Sequence, residues 1–372
     1  MSTHSTHSAH STHSAHGTQD RQSAGNAGGP VWGAGAATGI GSMPGEDARE
    51  AARTVTGTLE AFPFLPELPA RGPGADMTGR TVGLLAELYA HLEPSGWRIS
   101  DRPGRDTRRA RSWLGEDLDA VEEFTQGDAW GGDGGRRALK LSAVGPWTLA
   151  ATLERRNGEA VLGDPGACRD VTASLTEGLL AHLADLRRRV PGARPVLQLD
   201  EPMLTAVLLG RVPTASGYRS HGAVDRAVAE GALREITGAF AAQDVPVVVH
   251  TCAPRPPFAL LRRAGVAGVS FDAALLTEGE DDAVGEAVEG GTVLFAGVVP
   301  GDRPPSAGLS DPAGSVSGVR ALWRRLGLSP ALLTESVVVT PACGMAGASP
   351  AYARAALAHC VRAARSLADD PE

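Results

Sequence analysis

The stretch VPVVVHTC, Val245 to Cys252, decides the reading of this chain. A short, β-branched apolar run that stops abruptly at polar residues is the pattern of a strand buried on both faces, as in a parallel sheet. VAGVSFD, Val266 to Asp272, and SVVVTPACG, Ser336 to Gly344, repeat the pattern, and each run stops at a residue type that binds metal. His250 and Cys252 lie two apart, so on a strand they project to one face and can share an ion. Asp272 and Cys343 complete a candidate four-ligand set. One imidazole, two thiolates and a carboxylate suit Zn²⁺, whereas Mg²⁺ and Ca²⁺ prefer oxygen alone. A single His-x-Cys pair carries little weight, because a cysteine at a strand end is commonly a small buried hydrophobe. The recurrence of ligand types at equivalent strand ends carries the reading.

Working outward, the chain alternates strand-like and helix-like segments. Strands are expected near 36–41, 62–67, 138–143, 195–199, 246–250, 267–271, 293–298 and 336–340, with helices near 78–92, 170–190, 222–242, 316–327 and 350–367. Eight such strands read as a (β/α)₈ barrel, in which the carboxyl ends of all strands converge on one mouth. Polar residues gather at those ends: Gly41-Ser42, Gly145-Pro146-Trp147, Asp200-Glu201-Pro202, then His250, Cys252, Asp272 and Cys343. Asp200 and Glu201 are the candidate catalytic carboxylates. Residues 96–137, with the glycine-rich DAWGGDGG, exceed what a connection needs and read as an insertion or lid. GAGAATGIGS, Gly33 to Ser42, looks like a dinucleotide-binding turn, but no helix opens within its glycines and Pro44-Gly45 follows at once.

Composition places the chain among globular enzymes. With 372 residues and 42% hydrophobic content there is enough apolar material for a sizeable core. A net charge of −8 and the lack of a basic stripe exclude nucleic acid as an expected partner. The arginines between Arg105 and Arg111 alternate with acids on a helical pattern and read as a solvated face. Four cysteines in this length do not form a disulfide framework, and Cys168 and Cys360 fall in helical stretches. No secretory signal and no membrane-length apolar segment is visible, which predicts a cytoplasmic protein. Residues 1–30 repeat Ser, Thr, His and Ala without an apolar run and read as a disordered tail, with residues 31–372 as the barrel domain.

GIGSMP, KLSAVGPWTL, LQLDEPML, VVVHTC and TPACG, in that order, resemble the catalytic C-terminal half of the cobalamin-independent methionine synthases, from about residue 36 to 365. The resemblance implies a (β/α)₈ TIM barrel of the methionine synthase and uroporphyrinogen decarboxylase type, and a zinc ion that holds a thiol substrate, homocysteine, as thiolate for methyl transfer to give methionine. By matching position it implies His250, Cys252 and Cys343 as zinc ligands, Ser42 at the substrate carboxylate and Asp200 at its amino group. Asp272 stands where the family has a longer glutamate. LPELPARGPGADM replaces an acidic substrate-binding stretch, leaving Glu67 or Asp76 to serve there and adding Arg71. VVPGDRPPS, after the seventh strand, lacks the family's histidine, and the chain carries one barrel where full-length members have two. The methyl donor therefore stays open between a folate and a corrinoid, with Trp147 as a candidate lining residue. Two other readings remain: a catalytically idle barrel that binds metal or an amino acid, and a metal-free decarboxylase of the uroporphyrinogen type.

Overall fold

The computed structural model describes residues 31–127, 130, 137–301, 309 and 311–371, together with Met1. The expected tail, residues 128–129 and 131–136 of the expected insertion, and residues 302–308 after the seventh barrel strand lie outside the described residues.

Six parallel strands form a curled sheet in the order β3 (Arg137–Val144), β5 (Ala193–Asp200), β6 (Val247–Thr251), β7 (Gly268–Asp272), β8 (Val293–Val299) and β9 (Val337–Pro341). The first two expected strands are extended segments without a continuous ladder. Ala37 bridges Val339 of β9, Ser42 bridges Glu67, and Phe64 bridges Lys140 of β3, all in parallel sense. Backbone bonds such as Thr38 N–H to Val339 O (3.1 Å), Glu67 N–H to Gly41 O (3.0 Å) and Leu65 N–H to Lys140 O (2.9 Å) close the ring into eight staves. Gly39 and Gly41 interrupt the first segment and weaken it, and Pro63 and Pro66 remove ladder donors from the second.

Gly39 is part of the first of these staves, and its role is spatial. A Cβ there would overlap the edge of the Phe64 ring. The glycines of GAGAATGIGS thus serve barrel packing, and the helix that follows begins only at Ala48, capped by Asp47.

Helix boundaries follow chemistry that the sequence displays. The helix Pro165–Arg189 starts at Asp164, whose carboxylate accepts from Gly166 and Ala167, with proline in its first turn. Arg226–Ala241 is capped by Asp225, Pro350–Asp369 by Ser349, and Ser317–Leu326 ends on Gly327 in the left-handed region, φ 67°. The expected helix at 78–92 is only half right. Asp76 caps a short helix, Met77–Leu84, after which Leu85 turns extended and the chain enters a hairpin of β1 (Tyr89–Glu93) and β2 (Gly96–Ser100). Burial of Ala90 and Trp97, 0% and 4% exposed, overrides the helical spacing of Leu84, Leu85 and Leu88. Two residues, β4 (Leu153–Glu154), add a parallel strand to the hairpin, and the helix Arg105–Phe124 packs beside it. Residues 96–124 of the expected insertion are thus strand and helix packed on the barrel side.

Alternation along the strands sorts the barrel interior into layers. The lowest inward positions are apolar: Ala138, Val196, Val248, Phe295 and Val338, joined by Trp32 and Phe62. Trp32 meets Phe295 edge-on at 5.2 Å between centroids, and Phe62 does the same at 6.2 Å. These rings seal the floor. Two residues up come Lys140, Gln198, His250, Ser270 and Thr340, all buried. Two residues higher come Ser142, Asp200, Cys252 and Asp272, at the mouth.

Candidate metal centre and substrate pocket

Three ligand atoms, one each from His250, Cys252 and Cys343, lie within 4.8 Å of one another. His250 ends the apolar run of β6 and is 3% exposed. Its Nδ1 is held by Ser270 Oγ at 2.9 Å across the β6–β7 pair, where the two residues stand in register. Nε2 is buried and has no hydrogen-bond partner. An imidazole fixed through one nitrogen, with the other bare and two thiols beside it, has the donor set and the fixed ring that a bound zinc requires. The Cys252 thiol beside it, and then the His250 ring, hold the Cys343 thiol down at about 4, while the same proton-sharing pushes Cys252 up. One of the two sulfurs is thus already disposed to be thiolate, the form that binds metal.

Cys343 reaches the cluster because the loop after β9 is tied down on both sides. Ala342 N–H donates to Val299 O at 2.7 Å and Met345 N–H donates to Ser42 O at 2.9 Å. Gly344 passes directly against the Ser42 hydroxyl, so closely that a Cβ would overlap it. The Ala-Cys-Gly order is therefore a packing requirement as well as a ligand motif, and it brings Ser42 to the edge of the thiol cluster.

Asp272 does not join the three. It ends β7, and its Oδ1 accepts from Ala274 N–H at 2.9 Å, capping the single turn Ala273–Leu275. Because the bond shown for its carboxylate is this cap, we expect Asp272→Ala to retain zinc and to cost about 1 kcal/mol of stability, the usual effect of losing a cap. A metal content as low as that of a cysteine variant would make Asp272 a direct ligand.

A second group of acids lies beside the thiols. Asp200, 7% exposed, is the ladder partner of His250 in the β5–β6 register and accepts from Gln198 Nε2 at 2.8 Å. Burial, and then the charge of Glu67, push its carboxyl well above the usual carboxylate range. Glu67 is 4% exposed; burial raises its carboxyl, opposed by Arg80, whose Nε lies 3.8 Å away. Glu67 Oε1 has no hydrogen-bond partner. These two buried acids, Glu67 bridged to Ser42 through its backbone and ion-paired with Arg80, form an acidic cluster suited to a cation such as a substrate ammonium.

Other expected site residues have different roles. Glu201 is 0% exposed, and its two oxygens accept from Trp147 N–H (2.9 Å), Thr148 N–H (2.7 Å) and Thr148 Oγ1 (2.7 Å), fixing the start of the helix Pro146–Thr152. Burial lifts its carboxyl to about 7. It is an anchor facing away from the cluster. Asp76 is equally occupied, accepting from Gly74 and Gly79 N–H. Trp147 is 3% exposed and its indole N–H donates to Ala229 O at 3.0 Å, so its polar edge is engaged. One side of the ring borders a rim cavity of about 740 Å³ with Leu162, Pro165, His221 and Val228. Arg71, which altered the charge of the acidic stretch, pairs with Asp117 at 2.5 Å and lies over Trp113, so its charge is turned toward the inserted helix.

Lys140 and Gln198 were not among the expected site residues. Both lie inside apolar strand runs, where a polar residue at an inward position is the available signal.

A family model described as the catalytic domain of the cobalamin-independent synthases matches residues 35–366. Among solved structures, a B12-independent methionine synthase from a Shewanella species, in complex with selenomethionine, superposes with a TM-score of 0.56 at 11% identity, covering 90% of this chain and 98% of that one. That likeness bears on the fold. An oxaloacetate acetylhydrolase in complex with oxalate reaches a TM-score of only 0.34 at 13% identity, covering 85% of this chain and 78% of its own. No curated protein matches the sequence significantly.

Proposed function

Because the chain belongs to the cobalamin-independent synthase family through its catalytic domain, we propose that it is a zinc-dependent methyltransferase whose acceptor is homocysteine and whose product is methionine. The observation that carries this reading is the convergence of His250, Cys252 and Cys343, with a bare His250 Nε2, next to a buried acidic pocket. His250, Cys252 and Cys343 would hold the metal, and three protein ligands is the number found in catalytic zinc sites, where a fourth position serves substrate. When bound, zinc keeps a thiol deprotonated at neutral pH, where a free thiol with a pKa near 8.5 is mostly protonated.

The chain's own residues orient the acceptor. Asp200, with Glu67 beside it, binds the ammonium, and Ser42, held against Gly344, marks the carboxylate end. With the amino acid end fixed, the acceptor's sulfur would lie at the thiol cluster near the barrel mouth. An in-line displacement then needs proximity and alignment, the two things a rigid strand-end site supplies. A metal-free decarboxylase has no use for three convergent ligand atoms.

For the donor we propose a methylcobamide. Transfer from the N5 position of a methylfolate leaves a poor leaving group that must be protonated. The sequence after β8 offers no histidine for that, and residues 302–308 lie outside the described structure. A methylcobamide requires no such proton. Turnover to methionine is therefore expected to be faster with methylcobalamin than with methyltetrahydrofolate. Efficient turnover with the folate alone would overturn the donor assignment, and no methionine from any donor would overturn the methyltransferase reading. Among the described residues no helix is long and apolar enough to cross a membrane.

A further inference from the structure

Lys140 is the only lysine in the chain, and it is wholly buried at the middle of the barrel. Its Nζ donates to Gly39 O at 2.6 Å, to Ile40 O at 2.8 Å and to Gln198 Oε1. All three ammonium hydrogens are therefore engaged. Gln198 turns its amide nitrogen the other way, to Ile40 O at 2.9 Å and Asp200 Oδ1 at 2.8 Å. Ser142 Oγ adds a third donor to the Ile40 carbonyl at 3.2 Å. Lysine is the least economical residue for filling a barrel interior, since burial penalises its charge. Here burial pulls it down to about 7, opposed by Asp200 and Glu67.

Lys140 touches neither the thiol cluster nor the mouth, yet its partners lead to both ends of the acceptor pocket. Through Gln198 it reaches the Asp200 carboxylate. Through the Gly39 and Ile40 carbonyls it holds the backbone that ends in Ser42. Gln198 can present its amide N–H to Asp200 because its oxygen is taken by the ammonium, which fixes the side chain's orientation.

We propose that Lys140 is a positioning residue for the amino acid end of the acceptor, aiming Asp200 through Gln198 and holding Ser42 through the Gly39–Ile40 backbone. The inference rests on the acceptor reading above, in that it assigns the two ends of an α-amino acid to these two arms. It also separates the arms. Loss of Gln198 breaks the route to Asp200 and takes one donor from the Ile40 carbonyl, which keeps Lys140 and Ser142, whereas loss of Lys140 loosens both arms.

The test is calorimetric binding to the zinc-loaded full chain of three thiols: homocysteine, 4-mercaptobutyrate, which lacks the amino group, and 3-aminopropanethiol, which lacks the carboxylate. Gln198→Met is expected to weaken homocysteine and 3-aminopropanethiol about tenfold and leave 4-mercaptobutyrate within about twofold. Lys140→Met is expected to weaken all three, homocysteine most, with zinc content unchanged and kcat at saturating homocysteine altered far less than KM. If Lys140→Met does not fold, the Gln198→Met pattern alone decides. Wild-type affinities in both variants, or equal losses for all three thiols in Gln198→Met, would overturn the inference and leave the acceptor reading standing. A wild-type chain that binds none of the three overturns the acceptor reading itself, and this inference with it.

Discussion

Serine at Cys252 or at Cys343 is expected to strip zinc from a chain truncated before residue 31, while the truncated parent retains one ion. The truncation matters because His4, His7, His10, His13 and His16 would bind stray metal and mask the loss. Either substitution removes one of three convergent ligands and leaves a hydroxyl, which is too weakly acidic to replace a thiolate. Loss of a direct ligand should exceed the roughly 10- to 100-fold effect of losing an outer-shell partner. Metal analysis at neutral pH reads the loss. Unchanged zinc in both variants would falsify the site. Ser270→Ala is the informative neighbour, because it frees the His250 ring without touching a ligand.

Asp200→Asn is expected to weaken homocysteine about 10- to 100-fold, corresponding to roughly 1.5–3 kcal/mol for a hydrogen bond to a charged group. 4-Mercaptobutyrate, with no ammonium, should bind almost as before. The substitution keeps shape and removes charge, so the difference between the two thiols measures the charge alone. The pH dependence has a definite sign. Asp200 binds an ammonium only when ionised, and burial with the nearby Glu67 charge raises its carboxyl well above the ordinary range. Homocysteine affinity should therefore begin to fall at a higher pH on acidification than an exposed aspartate would allow, and the asparagine variant should lose that limb. Equal weakening of both thiols would assign Asp200 a structural role.

The parts of this fold that the sequence displays are those where one pattern dominates. β6 and β9 each open on three consecutive valines and β7 carries Val269 and Phe271 before Asp272, short β-forming runs with no helical period to compete. The first two staves are recognisable by position, but glycine and proline leave them only scattered bridges. The segment after Leu84 was misread because helical spacing there is genuine, and the burial of Trp97 that decides for a hairpin comes from packing remote in sequence. At the site, residue type singled out His250, Cys252 and Cys343, whose ligand atoms the structure brings together, and Asp200 as a candidate beside them. It did not reveal that Glu201 and Asp76 are tied up by backbone N–H groups, or that Asp272 caps a turn, because a carboxylate looks the same whether it caps, anchors or binds. Lys140 was visible as a lone charge within a strand, but its partners Gly39 and Ile40 lie about one hundred residues away in the chain, at separations of 101 and 100.

That lone lysine also gives the protein a built-in chemical clock. Apart from the chain's amino terminus, whichever residue that is, Lys140 is its sole primary amine, and it is sealed at 0% exposure. An acylating reagent should tag the terminus at once and reach the side chain only when the barrel opens, because no partial exposure of the surface uncovers Nζ. The rate at which a second tag appears in an intact-mass spectrum then reports opening of the staves around the pocket, with no dye or engineered residue. A ligand that braces Asp200 and Ser42 should slow that clock by the same contacts through which it binds.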